Sequence, residues 1–148
     1  MAQTILPRPL IALGLAGLVP QAICLMAVAY GGPERWIALA AGCFYAAIIL
    51  SFLGGMWWMA GLLSGLREGW VYGMAVVPSL IGFAALLPWT VGWSWPGPSL
   101  VVLALALLAS PLVDRTLARR MAVPPGWLRL RMVMAGGLGL MTLLIAAL

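Results

Sequence analysis

Five long apolar runs, parted by short segments rich in glycine, proline and charge, fill most of this chain of 148 residues. A soluble domain hides such runs behind a charged surface. This chain has eight basic and three acidic residues with which to do so, and 65% of it is apolar. The mean hydropathy is +1.13. Runs of this length without charge read as membrane spans, since a helix needs about 20 residues to cross roughly 30 Å of hydrocarbon. The predicted fold is an all-α integral membrane protein, a bundle of five transmembrane helices forming one polytopic domain over residues 1–148. The spans are predicted at about Leu10–Tyr30, Trp36–Leu63, Trp70–Trp89, Ser99–Val113 and Met132–Leu148. The fourth and fifth are short unless they extend into their flanks or the bilayer thins beside them. The first run is too long for the apolar core of a signal peptide and lacks a small-x-small cleavage pattern before Gly31, so it reads as a retained span.

The charges orient the bundle. Arg8, Arg67, Arg115, Arg119, Arg120, Arg129 and Arg131 fall on one side of the predicted spans, and only Arg35 on the other. Basic residues concentrate on the cytoplasmic side of membrane proteins. The expected topology therefore has a cytoplasmic N-terminus and an outer C-terminus, in a bacterial inner membrane. Trp36, Trp89, Trp93 and Trp95 fall at the outer interface and Trp70 and Trp127 at the inner one, where indole rings anchor. No internal repeat is visible, and an odd number of spans argues against two inverted halves in one chain.

Little in the chain carries chemistry. It has no histidine, which removes the commonest acid–base group and metal ligand. Glu34, Glu68 and Asp114 stand beside Arg35, Arg67 and Arg115, and read as solvated loop charges. Cys24 and Cys43 lie at similar depth in spans one and two. They read as buried packing residues, with a disulfide as the lesser alternative, and two cysteines make no metal site. No catalytic residue, metal or cofactor is expected.

Polar side chains within the spans are few and share a level. Gln21, Ser51, Ser79 and Thr142 come from four different spans and fall about 15 Å deep at ~1.5 Å per residue. Pro20 and Pro78 share that level, and Pro78 frees the carbonyl of Met74. Interhelical hydrogen bonding accounts for such groups; a midplane pocket is the alternative. Ala47, Ser51 and Gly55, four apart, form a small-residue ridge on span two, and Gly136, Gly137 and Gly139 open span five. Between spans four and five, Arg115, Arg119, Arg120, Arg129 and Arg131 are placed to meet lipid headgroups. The segment is too short and too close to the membrane for nucleic acid.

Three segments resemble the transmembrane protein 69-like family (domain of unknown function 3429). They are Tyr45–Gly55 with its Leu50-Ser51-Phe52-Leu53-Gly54-Gly55 core followed by Trp58, then Pro78-Ser79-Leu80, then Asp114-Arg115 through Pro125, Trp127, Arg129 and Arg131. Order and spacing agree over nearly the whole chain. Trp57 stands where the family pattern leads one to expect histidine, and Met59 where it leads one to expect glycine. The resemblance implies a small polytopic inner-membrane protein and no established reaction. It also narrows the pocket alternative to the space between spans two and three, drawing on Gln21, Ser51, Gly54, Gly55, Trp57, Trp58, Pro78, Ser79 and Thr142, with Trp57 or Trp58 at the rim.

Two functions of different kind follow. One is a non-enzymatic structural or accessory component, in contact with membrane lipids and with a membrane protein partner or copies of itself. The other is a small-molecule or lipid binding protein or carrier that uses the pocket between spans two and three.

Overall fold

Backbone N–H and C=O groups have no water to bond in a hydrocarbon layer, and a helix satisfies them internally. The computed structural model describes residues 6–93, 95–121 and 123–148, and there the chain is helical throughout its apolar runs. The elements are α1 (Arg8–Ala16), α2 (Val19–Tyr30), α3 (Arg35–Leu63), α4 (Gly69–Thr90), α5 (Gly97–Ala118) and α6 (Trp127–Ala147). With α1 and α2 counted as one span, five helices are long and apolar enough to cross a membrane.

Proline decides where these helices break and where they continue. Pro20 lacks the N–H that would bond Ala16, and the first span is interrupted at Gly17 and Leu18. The Tyr45 hydroxyl on α3 donates to the carbonyl of Gly17 at this break. Pro111 has the opposite outcome. It frees the carbonyl of Leu107, and the adjacent Ser110 hydroxyl donates to that oxygen at 2.8 Å. Helix α5 therefore runs on to Ala118 rather than ending near Val113. Helix α6 likewise starts at Trp127, not at Met132. Both helices reach 21 or 22 residues, so neither requires a thinned bilayer.

Helix α3 is the hub, packing against α2, α4, α5 and α6, while α5 and α6 form a second close pair. Helix α1 leans on α6, where the Met134 sulfur closes over Gly14. Leu50, Leu100, Leu103, Leu107 and Ile145 are fully buried between the helices. Leu13, Ile37, Ile48, Phe52, Phe83 and Leu112 point outward, as side chains solvated by lipid do.

The α3–α4 contact shows how the pair comes so close. Ala47, Gly54 and Gly61, seven residues apart, face Gly82, Ala75 and Val71 in turn. A repeat of seven keeps a seam in register between two gently supercoiled helices. The ridge of four-residue spacing read from the sequence does not form. Ala47 and Ser51 belong to the interface, but Gly55 has drifted off it and touches nothing.

Candidate functional site

The most unusual group in the bundle is an ion pair that the sequence reading placed in solvent. Asp114, on α5, is fully buried, and Arg131, on α6, is 5% exposed. Arg131 Nε donates to Asp114 Oδ2 at 3.0 Å, and Nη2 lies 3.0 Å from the same oxygen. The other carboxylate oxygen, Oδ1, accepts from Trp57 Nε1 on α3 at 2.8 Å. Three helices thus meet at one carboxylate. Charges in this setting are stable only when paired and hydrogen-bonded.

Two expectations are corrected here. Asp114 is not a solvated partner of Arg115, and Arg131 is not a headgroup contact. The cause is the continuation of α5 past Pro111. One residue further round a helix turns about 100° at ~3.6 residues per turn, so Arg115 faces outward while Asp114 faces in. The sequence did contain the signal. Leu100, Leu103, Leu107, Ser110, Asp114 and Leu117 are the buried stripe of α5, with alternating steps of three and four. Arg131, Ala135, Leu138, Thr142 and Ile145 are the corresponding stripe of α6. Following either stripe through its charged member identifies the pair.

Glu68 and Arg35 also meet partners other than their chain neighbours. Arg120 bridges Glu68 at 2.7 Å and lies 5.1 Å from the centre of the Trp70 ring. Its side chain nonetheless stays 43% exposed. Arg35 donates to the main-chain oxygen of Leu148 at 2.7 Å, tying the start of α3 to the end of α6. Arg115, Arg119 and Arg129 are exposed at the end of the bundle that also carries Arg8 and Arg67.

The four level-matched polar groups form two separate pairs, not one site. Gln21 Nε2 donates to Thr142 Oγ1 at 2.8 Å, and that hydroxyl donates to the Leu138 carbonyl at 2.7 Å. Both residues are fully buried where α2 meets α6. Ser51 and Ser79 share a hydrogen bond of 2.9 Å across the α3–α4 seam. Next to it, Gly54 lies against the Ala75 carbonyl and the Pro78 ring. The space between the second and third spans is therefore largely closed. What is left is a cavity of about 130 Å³, shared with α5 and lined by Leu50, Trp57, Pro78 and Ser110 among others. Trp58 points the other way, half exposed and edge-on to Tyr72 with ring centres 5.0 Å apart.

Cys24 is half-buried and Cys43 fully buried, and both are free thiols. At the far end, Trp89 stacks on Trp95 at 5.8 Å with Phe44 edge-on to Trp89 at 5.6 Å. The tryptophans expected as interface anchors lie at helix ends or in the segment just beyond them, and two of them, Trp89 and Trp95, pack on each other and on Phe44.

A larger opening lies on the opposite side of α3 from Ser51–Ser79. Because the first span breaks at Gly17, α1 does not close onto α3. A cleft of about 320 Å³ remains, walled by Leu13 and Gly17, by Ile49 and Phe52, and by Met134 and Leu138. Leu107 and Arg131 also line it.

Five apolar helices, cross-tied by polar side chains and facing outward with apolar ones, define a multi-pass membrane helix bundle. Residues 6–147 match the family described as "Protein of unknown function (DUF3429)", and the chain belongs to that family. Comparison with curated proteins and with solved structures gave no match.

Proposed function

We propose that this protein is a non-catalytic accessory component of the bacterial inner membrane, with its N-terminus in the cytoplasm. The observation that carries the reading is where the interior polar groups are spent. Gln21 and Thr142, Ser51 and Ser79, and Trp57, Asp114 and Arg131 each join helices to one another. Asp114 is the one carboxylate buried among the described residues, and both of its oxygens are engaged. A general acid or base must reach a substrate proton; this carboxylate reaches an indole and a guanidinium. Interhelical bonds of this kind fix register and contribute about 0.6 kcal/mol each. They suit a rigid element that others assemble upon.

The reading is tested by native mass spectrometry of the protein extracted gently from its own membrane. A second polypeptide at fixed stoichiometry is expected. The bare chain, or the chain with non-protein masses alone, overturns the accessory role. Orientation has its own test, motivated by the seven arginines gathered at one end of the bundle. Ser64→Cys, in the turn after α3, is expected to resist a membrane-impermeant maleimide in intact cells. Glu34→Cys, in the turn before α3, is expected to react. Both positions are exposed. The reverse pattern inverts the topology.

A further inference from the structure

We infer that the cleft between α1 and the α3, α5 and α6 helices holds the carbonyl head of a neutral, apolar-tailed amphiphile, with Arg131 as the donor. This goes beyond the accessory role and does not depend on it.

The first observation is an arginine that is only partly used. Its side chain is 6% exposed. Among the described residues, Nε to Oδ2 is its one directed hydrogen bond. Nη2, which solvent does not reach, lies 3.0 Å from that same oxygen and is held in the ion pair. The other oxygen of Asp114, Oδ1, accepts from Trp57. A guanidinium carries five N–H donors in a rigid fork. The Nε and Nη2 edge of the fork faces Asp114, which leaves Nη1 as the donor with neither a hydrogen bond nor an ion-pair contact among the described residues. Buried donors are nearly always satisfied, and an exception calls for an explanation.

The second observation is the cavity beside it. Arg131 is the one charged residue lining a cleft of about 320 Å³ whose other walls are aliphatic, aromatic, methionine or glycine. The break at Gly17 and Leu18 holds this cleft open. Leu13 and Phe52, both on its walls, are 75% and 61% exposed. Its mouth therefore faces the bilayer, and an occupant enters sideways from lipid. Apolar walls with one convergent polar group are the usual form of a small-molecule site.

Charge balance selects the class of head. Asp114 and Arg131 together are neutral. A carboxylate or phosphate would place an uncompensated charge in the bundle interior, which is unfavourable. A carbonyl oxygen accepts N–H bonds and adds no charge. Two sources share that chemistry, the ester of a neutral glycerolipid and the ring carbonyl of a prenylated quinone.

The test uses the isolated full-length chain in nanodiscs of ether-linked phosphatidylcholine, which has no carbonyl, so its result is independent of any protein partner and of the surrounding lipid. Dioleoylglycerol, ubiquinone-2 and oleate are added separately, and retention is read by native mass spectrometry. One equivalent of dioleoylglycerol or of ubiquinone-2 is expected to stay bound, and which one identifies the source. Oleate is not expected to stay. Leu13→Trp, which narrows the mouth, is expected to lower retention tenfold or more. The double variant Asp114→Leu with Arg131→Met removes donor and counter-ion together without leaving a lone charge, and is expected to lower it similarly. With the carbonyl carbon labelled by ¹³C, its infrared stretch is expected to move to lower frequency in the wild type and not in the double variant. Retention of neither neutral probe overturns the proposal. So does retention of oleate in preference to both, or equal retention by the wild type and both variants.

Discussion

Asp114→Ala is expected to destabilise the bundle by about 3–5 kcal/mol, the usual consequence of stranding one member of a buried ion pair. The Arg131 guanidinium would remain among apolar side chains with its counter-ion gone, and the Trp57 indole would lose its acceptor. The bundle is open to a simple rescue. Asp114→Leu combined with Arg131→Met removes both charges, and replacing a buried pair by apolar groups of similar size is often neutral or stabilising. The double variant is therefore expected to recover most of the loss, so that the two substitutions are strongly non-additive. Equilibrium unfolding in mixed detergent micelles, with the single and double variants side by side, measures this. If Asp114→Ala loses less than about 1 kcal/mol, the carboxylate is not the tie between α3, α5 and α6, since exposed pairs contribute in that lower range.

The second large effect separates two adjacent glycines of one motif. A Cβ at Gly54 would fall well inside contact distance of the Ala75 carbonyl oxygen. That oxygen is backbone and has no rotamer to adopt, so α3 and α4 must move apart. The Ser51–Ser79 bond lies one turn away on the same seam and would stretch with them. Gly54→Ala is expected to destabilise by about 1–3 kcal/mol, as overpacking does. Gly55→Ala meets nothing within 4 Å. It is expected to be neutral or to stabilise by up to ~1 kcal/mol, since alanine favours the helix over glycine. The same unfolding assay measures both, and equal effects at the two positions would mean that the α3–α4 seam does not run through Gly54.

Much of the architecture was legible from residues alone, and the limits are instructive. Span number follows from hydropathy, and the ends of α3 and α4 were read to within a residue. The observed ends of α5 and α6 lie beyond the expected ones because a proline such as Pro111 weakens a helix signal, and because charged residues such as Asp114 and Arg131 are expected in solvent. The hydroxyl of Ser110 compensates that proline, and the two charges compensate each other. Neither compensation is visible without the partner. Counting along the spans places Gln21, Ser51, Ser79 and Thr142 at one level. Depth alone does not say which helices are neighbours, and these four residues sort into two pairs at different helix contacts rather than into one pocket. The cleft at Arg131 went unseen because it depends on a broken first span and on how α1 then leans.

The amino-acid sequence alone determined that the chain forms five apolar helices and that its arginines gather at one end. Hydropathy and charge are sums over neighbouring residues, so they survive without knowledge of the fold. The tertiary structure alone decided that Asp114 meets Arg131 and Trp57, that Gly54 rather than Gly55 carries the α3–α4 seam, and that a cleft opens beside α1. Each of these depends on the rotation of one helix relative to another, which is set by packing between residues distant along the chain.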